Sequence, residues 1–209
     1  MAKLEKLTSV AVPIVANNVD TDQIFPSRFT GRSRTGGAFS TYFFHDCRFG
    51  PAGNKLGDFI LNDARMVGAQ IIVAADNYAC GSARPGAVYA HTDYGIRVII
   101  AESFGPVFAA VAYKAGLLTI QLTADHVKNL REQLLGRLGA EITVDLREQF
   151  VVAPNGTHLA FDIDPFVKKI VMGGLSEIEL TLGLKDKLDE FETRQRHSLP
   201  WLFQSTSRV

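Results

Sequence analysis

Two cysteines, Cys47 and Cys80, are all that this chain of 209 residues contains. An iron–sulfur cluster is ordinarily held by three or four thiolates, so the chain does not supply such a site by itself. The five histidines, at positions 45, 91, 126, 158 and 197, are scattered and show no metal-ligand spacing. Any metal in a reaction therefore has to come from another chain. Net charge is also missing, because 22 Lys and Arg balance 22 Asp and Glu. That balance gives no pull toward nucleic acid or an anionic membrane. No basic stripe with interleaved aromatics is present, and no apolar run approaches the ~18 residues of a spanning helix. The opening Met1-Ala2-Lys3-Leu4-Glu5-Lys6 has one Leu among charges and lacks the apolar core of a signal peptide. A cytoplasmic protein is the expectation, with no nucleic acid and no membrane among its partners. A disulfide between the two cysteines is not expected in a reducing compartment.

What is present concentrates in one stretch, Asp76-Asn77-Tyr78-Ala79-Cys80-Gly81-Ser82-Ala83-Arg84-Pro85-Gly86. It follows the strand-like run Ala69–Ala75 and precedes a helix-competent segment from Ala87 to His91. A small-residue turn between a buried strand and a helix start aims N–H groups at one point, which suits an anion. Ser82 and Arg84 place a hydroxyl and a guanidinium two residues apart on that turn. The bland reading is a glycine turn with an N-cap serine and a surface arginine. Known phosphate-binding and nucleophile motifs do not apply. Neither Gly-x-Gly-x-x-Gly nor Gly-Lys-Ser/Thr occurs here, and Cys80 stands where a nucleophile elbow needs glycine. Cys80 reads as a small buried apolar residue rather than a nucleophile, since no paired histidine is evident.

Two more polar stretches stand out. Asn18-Val19-Asp20-Thr21-Asp22 reads first as a turn rich in Asx bonding. Its two carboxylates could also orient an arginine or histidine on a facing chain. Arg32-Ser33-Arg34-Thr35-Gly36 reads first as a solvated basic loop, and otherwise as a clamp for carboxylates, which arginine grips with two parallel hydrogen bonds.

Around these stretches the chain alternates short β runs with helices. Strands are expected near 7–15, 69–75, 97–101 and 117–120, with helices near 86–92, 104–114 and 127–138. This predicts right-handed βαβ units and a largely parallel core sheet. From Glu141 the pattern changes to period two, with Asn155-Gly156 as a hairpin turn, which predicts a small antiparallel meander. Asp164-Pro165 opens a helix that Gly173-Gly174 ends, and Ser176 begins another. The tail from about 185 to 209 is charged, and Leu199-Pro200-Trp201-Leu202-Phe203 could pack on a partner. Without repeats or a linker, one domain over 1–209 is expected.

Taken together, these stretches resemble the small-subunit family of the 3-isopropylmalate dehydratases, the aconitase-family isomerases of leucine biosynthesis. The likeness rests on Asn18 to Pro26, on Arg34-Thr35-Gly36 followed by Phe43 to Phe49, and on Asp58 to Asn62. It continues through Asn77 to Arg84, Asp93 to Ala101, Ser103-Phe104 and Lys114 to Leu118. The resemblance implies an α/β swivelling domain of three β/β/α layers that closes over a larger partner chain, as a heterodimer or heterotetramer. That large subunit would hold a [4Fe–4S] cluster with one iron open to a small dicarboxylate substrate. By the same resemblance Ser82 is the base that, as alkoxide, removes a proton alpha to a carboxylate. Arg84 and Arg34 bind substrate carboxylates, with Gly81 and Thr35 beside them. Asp20, Asp22 and Asn77 support the site from behind. The family normally reads Ser-Ser-Arg-Glu-His at the end of this signature, where the chain has Ser82-Ala83-Arg84-Pro85-Gly86. This departure leaves three readings: a subunit acting on isopropylmalate, a paralogue acting on another substituted malate, and a non-catalytic stabilising subunit.

Overall fold

The computed structural model describes residues 2–82 and 84–203. Seven strands are joined in the order β4-β3-β2-β1-β5-β6-β7. The first strand, β1 (Lys6–Pro13), is central and has two kinds of neighbour. On one side it runs parallel to β2 (Ile71–Val73), which is parallel to β3 (Val98–Ala101), which is parallel to β4 (Leu118–Gln121). On the other side it is antiparallel to β5 (Glu141–Asp145), which continues antiparallel through β6 (Phe150–Val152) to β7 (His158–Ala160). The expected parallel core and the antiparallel meander are therefore two halves of one sheet sharing β1.

Apolar runs without alternation predict strands covered on both faces, and the core bears this out. Val12, Ile72 and Ile99 point into one cluster, while Ala11, Ile71, Val73, Val98 and Ile100 point into the other. The first cluster is closed by α3 (Gly86–Tyr94) and α4 (Pro106–Ala112), through Ala87, Val88, Ala90, Phe108 and Ala112. The second is closed by α5 (Ala124–Gly136), whose Val127, Leu130 and Leu134 are buried at helical spacing behind a Thr123 N-cap. The β5–β7 half shares that second core through Ile142, Val144, Val151 and Leu159.

Between β1 and β2 lie about sixty residues of short elements: two single turns, α1 (Thr21–Ile24) and α2 (His45–Arg48), and 3₁₀ segments at Ser27–Phe29 and Thr35–Thr41. Phe25, Phe29, Phe39 and Tyr42 pack against one another, tilted, edge-on or stacked, and join this stretch to the first cluster. After β7, α6 (Pro165–Gly173) starts behind an Asp164 cap and stops at Gly174, where φ is +62°.

The chain divides into two compact units, one ending at Gly174 and one beginning at Leu175. The second holds α7 (Glu177–Leu182), α8 (Lys185–Ser198) and a 3₁₀ turn at Pro200–Phe203. The helix expected from Ser176 is α7, and the charged tail expected from about 185 contains the 14-residue α8. Leu184, just before it, and Leu188 and Phe191 within it recur at helical spacing, and all three remain exposed together with Trp201, Leu202 and Phe203.

Candidate active site

The turn after β2 is held from two sides. On the first, the Asn18–Asp20 turn lies beside it. The Asn18 N–H donates to Asp76 O, the Cys80 N–H to Val19 O, and the Thr21 N–H to Cys80 O. The Ser82 N–H completes that edge by donating to Thr21 Oγ1 at 2.9 Å. On the second side, the segment following β3 clamps it. The Tyr78 N–H donates to Ser103 O, the Gly105 N–H to Tyr78 O, and the Asn77 N–H to Ser103 Oγ. Asn77 and Ala79 both adopt positive φ, +53° and +57°, an arrangement that persists because the flanking contacts over-determine it.

Asp20 uses its carboxylate as the N-cap of α1, accepting from the Asp22 N–H, while Gln23 returns the bond to the Asp20 N–H. The same carboxylate lies against Gly81. A Cβ on Gly81 would sit 2.1 Å from Asp20 Oδ2, and the φ of +94° also calls for glycine. Gly81 thus lets the turn and the Asp20 cap occupy the same space.

Ser82 is half-buried and Arg84 exposed, so both are reachable from solvent. The Arg84 Nε–H donates to Ser82 Oγ at 2.8 Å, and the Arg84 backbone N–H donates to the same oxygen at 3.3 Å. Arg84 Nη2 donates to Asp22 Oδ1 at 3.0 Å. Among the described residues no hydrogen bond engages Arg84 Nη1. The Arg84–Asp22 pair is about half exposed on both sides (45% and 51%), which makes it worth under about 1 kcal/mol in water. Its value lies in orientation.

Ser82 is not the cap of α3. That helix begins at Gly86 with Pro85 at the N-cap position and no capping side chain. The hydroxyl is turned instead onto the Arg84 donors. Gly86, which on composition should loosen the helix start, is buried beneath Phe25, whose ring would meet a Cβ at 2.6 Å. Ala83 lies outside the described residues.

Arg34 is placed on the outer face of α3. Its Nε and Nη2 donate to Asp93 Oδ1 at 3.0 and 2.7 Å, Nη2 also donates to Thr92 Oγ1, and the guanidinium lies 4.1 Å from the Tyr89 ring centroid. Asp93 also accepts the Phe39 N–H. The basic loop stays exposed, as its composition suggests, but Arg34 fastens it to the helix. Thr35 shares a hydrogen bond with Ser33. Asn77 donates from Nδ2 to Asn18 Oδ1, which ties two of the motif stretches together.

The structure therefore gathers Asp20, Asp22, Asn77, Gly81, Ser82 and Arg84 into one cluster and sets Arg34 and Thr35 on a neighbouring surface. Sequence reasoning missed four contributors. Thr21 and Ser103 receive the turn's N–H groups, and Tyr78 and His91 meet beneath it through Tyr78 OH and His91 Nε2 at 2.8 Å. The only signal for His91 is a histidine that follows the small and apolar run Ala87-Val88-Tyr89-Ala90.

The recess between Thr21, Asp22, Phe25, Thr30 and Arg84 measures only about 10 Å³, too small for the described residues there to enclose a dicarboxylate. A larger cleft of about 710 Å³ opens at the C-terminal ends of β2–β4. It is lined by Asp76, Glu102, Asp162 and His126 without a lysine or arginine, and Glu102 is paired with Arg131, so no cation among the described residues there is free to grip a carboxylate pair. Among the described residues no group of three or more His, Cys, Asp or Glu is placed to hold a metal ion.

Comparison with known proteins decides the family. The model described as aconitase C-terminal domain matches residues 1–125. LeuD_N matches residues 131–165, and the model for the C-terminal domain of the 3-isopropylmalate dehydratase small subunit matches residues 177–205. The 3-isopropylmalate dehydratase small subunit of Afipia carboxidovorans is 39% identical over 203 residues, covering 97% of this chain and all of that one. Its counterpart in Leptospira interrogans is 40% identical, with 94% and 96% covered. The chain belongs to the 3-isopropylmalate dehydratase small-subunit family. A crystal structure of 3-isopropylmalate dehydratase from Methanocaldococcus jannaschii superposes with a TM-score of 0.64 at 22% identity, covering 90% of this chain and 99% of the other, which shows a shared fold. Membership fits the mixed α/β sheet described above. No helix among the described residues is long and apolar enough to cross a membrane.

Proposed function

We propose that this chain is the small subunit of a 3-isopropylmalate dehydratase, a hydro-lyase that interconverts 2- and 3-isopropylmalate with a large subunit, and that Ser82 is its base. The observation that carries the role of Ser82 is the pair of Arg84 N–H donors converging on its Oγ. A serine hydroxyl of ordinary acidity is a poor base. Donors aimed at the oxygen, one of them cationic, favour the alkoxide. Closure by a second chain would remove water and strengthen both interactions.

Arg84 then serves twice. Its Nε–H holds the Ser82 oxygen, and Nη1 faces an incoming carboxylate. Asp22 fixes the guanidinium so that both tasks share one geometry. With the carboxylate held there, its alpha proton passes to Ser82 Oγ. The same hydroxyl returns a proton in the reverse addition. Gly81 brings the backbone close to substrate without a side chain. Asp20 and Asn77 hold the turn, and Arg34 with Thr35 contacts the substrate's distal end.

Two free cysteines fall short of a cluster's thiolate set, and this chain does not fit as its holder. We place the [4Fe–4S] cluster on the large subunit, where it supplies Lewis acidity toward the departing hydroxyl. Unpaired cysteines also fit a reducing cytoplasm. The 199–203 stretch remains a candidate surface for that partner.

The test is Ser82→Ala in the complex reconstituted anaerobically with the large subunit. The rate followed by alkene-diacid absorbance should fall by about 10³-fold or more, while co-purification with the large subunit persists. Turnover like that of the wild type would remove Ser82 from this role. Activity of the unmodified complex only on other substituted malates would shift the substrate, and inactivity on all of them would favour the stabilising-subunit reading.

A further inference from the structure

Helix α3 starts two residues after Arg84 with Gly86 packed beneath Phe25, but no hydrogen bond from a side chain caps that end. The N-cap is Pro85, no side chain caps it, and Gly86 is its first residue. The stretch between Tyr78 and His91, which contains Ser82 and Arg84, is instead fastened at its base. Tyr78 is fully buried at the beginning of the turn and His91 is fully buried in the helix. Tyr78 OH and His91 Nε2 are 2.8 Å apart, and His91 Nδ1 is 2.7 Å from Ala87 O. A carbonyl only accepts, so Nδ1 carries the proton. The neutral ring then accepts at Nε2, and the tyrosine hydroxyl donates to it. Burial lowers the histidine pKa to about 4, which keeps the ring in that neutral form. Phe43, Phe108 and the Tyr78 ring surround the imidazole at centroid distances of 4.7, 5.5 and 5.8 Å.

We propose that Tyr78 and His91 are positioning residues for the reaction. Their hydrogen bond sets the register of α3 against the turn, and so sets where Arg84 meets Ser82. This rests on the reading of Ser82 and Arg84 given above. Neither residue touches substrate. The chain Tyr78–His91–Ala87 is a single line of donors and acceptors running from the turn to the helix backbone. An apolar pair of the same size could fill the space, but it would not specify a direction along the helix axis.

The deciding experiment compares Tyr78→Phe with the double variant Tyr78→Phe/His91→Leu in the reconstituted complex, assayed well below the melting temperature of each. The single variant leaves His91 Nε2 without its donor. The double variant leaves no orphaned polar group, so its melting temperature should recover. We expect kcat to stay down by about tenfold in both, with KM changed by less than about threefold, since a small misplacement of reacting groups costs the chemical step most. Peptides spanning 79–90 should exchange amide hydrogen faster in the double variant, with β3 unchanged. A double variant with wild-type kcat and wild-type exchange would reduce the pair to a structural filler and overturn the proposal. Should the double variant fail to fold, wild-type kcat in Tyr78→Phe alone overturns it as well. Ser82→Ala measured alongside separates the two claims. If it retains turnover, the base assignment falls whatever the pair does; if it is dead while the double variant is normal, only the pair falls.

Discussion

Two stretches carry the residues of the candidate site, and they are held in opposite ways. The turn from Asp76 to Ser82 is bonded through its backbone on both flanks and anchored from below by a buried side chain. The segment from Ser27 to Thr41 is mostly exposed and fastened by side chains, Arg34 to Asp93 and Arg28 to Asp46. Backbone bonds inside a packed core leave no alternative position. The exposed Arg28–Asp46 clasp is worth about 1 kcal/mol or less and the Arg34–Asp93 clasp, whose carboxylate is nearly buried, about 1–2 kcal/mol, and both can be released. The proposed base thus sits on the rigid part, its arginine at the edge of that part on an exposed clasp to Asp22, and the surface proposed to meet the rest of the substrate on the adjustable part.

Glycine replacement should expose that difference most strongly. Gly81→Ala puts a methyl carbon 2.1 Å from Asp20 Oδ2 at a φ of +94°. The cap and the turn cannot both stay, so roughly 2–4 kcal/mol of stability should be lost and turnover should fall about 100-fold. Gly37→Ala lies at a similar φ, +75°, with nothing within 4 Å. It should cost only about 1 kcal/mol of backbone strain and leave turnover within a few-fold. Urea denaturation and steady-state rates on the two variants check this. Equal losses would mean that the two stretches are equally constrained.

Acid should separate the same regions by pH. In the unfolded chain His91 takes a proton near pH 6.5, and in the folded chain only near 4. Between those values the unfolded state binds more protons, so stability falls as pH drops, by about 3 kcal/mol in all. Among the described residues the titratable group facing the imidazole is Tyr78, which burial keeps protonated. The clasp on the other segment behaves differently. The Arg28 guanidinium holds Asp46 down to about 2, against an ordinary 3.8. Its contribution is complete above pH 3.8 and is lost only as pH falls toward 2. Denaturation midpoints from pH 7 to 4.5 should therefore decline in the wild type and stay flatter in His91→Leu. Parallel declines would place the titrating group elsewhere.

The parallel half of the sheet is legible from its unbroken apolar runs, and the meander from its period-two alternation and Asn155-Gly156. Ser82 and Arg84 are legible as polar residues on a turn of small ones, and Asp20 and Asp22 as two carboxylates in a polar turn. Which of them touch is not. That Asp22 pairs with Arg84, sixty-two positions away, and that Thr21 receives the Ser82 N–H depend on β1 and β2 lying side by side. The Arg34 loop reads as a solvated or substrate-facing clamp because nothing local announces Asp93 and Tyr89 as its partners. His91 stays hidden because a buried histidine at helical spacing has the same sequence signature as any filler residue. Local chemistry shows in the pattern, while partnerships across the fold depend on the sheet order.

The smallest expected effect is also the most discriminating for the adjustable segment. Asp93→Asn leaves the Arg34 charge in place but removes the anion that holds it, keeping a weaker acceptor for Nε, Nη2 and the Phe39 N–H. Stability should fall by about 1–2 kcal/mol, since Arg34 is 43% exposed but the Asp93 carboxylate only 7%. If the clasp only holds the segment against α3, Asp93→Asn and Arg34→Met should raise KM by the same few-fold factor and leave kcat alone, because both release the same loop. If Arg34 also binds a substrate carboxylate, Arg34→Met should raise KM about tenfold further than Asp93→Asn, since it removes a charge-assisted bond as well as the clasp. No change in KM with either variant would mean that the segment neither needs this fastening nor meets the substrate, and the contrast between the two stretches would then concern stability alone.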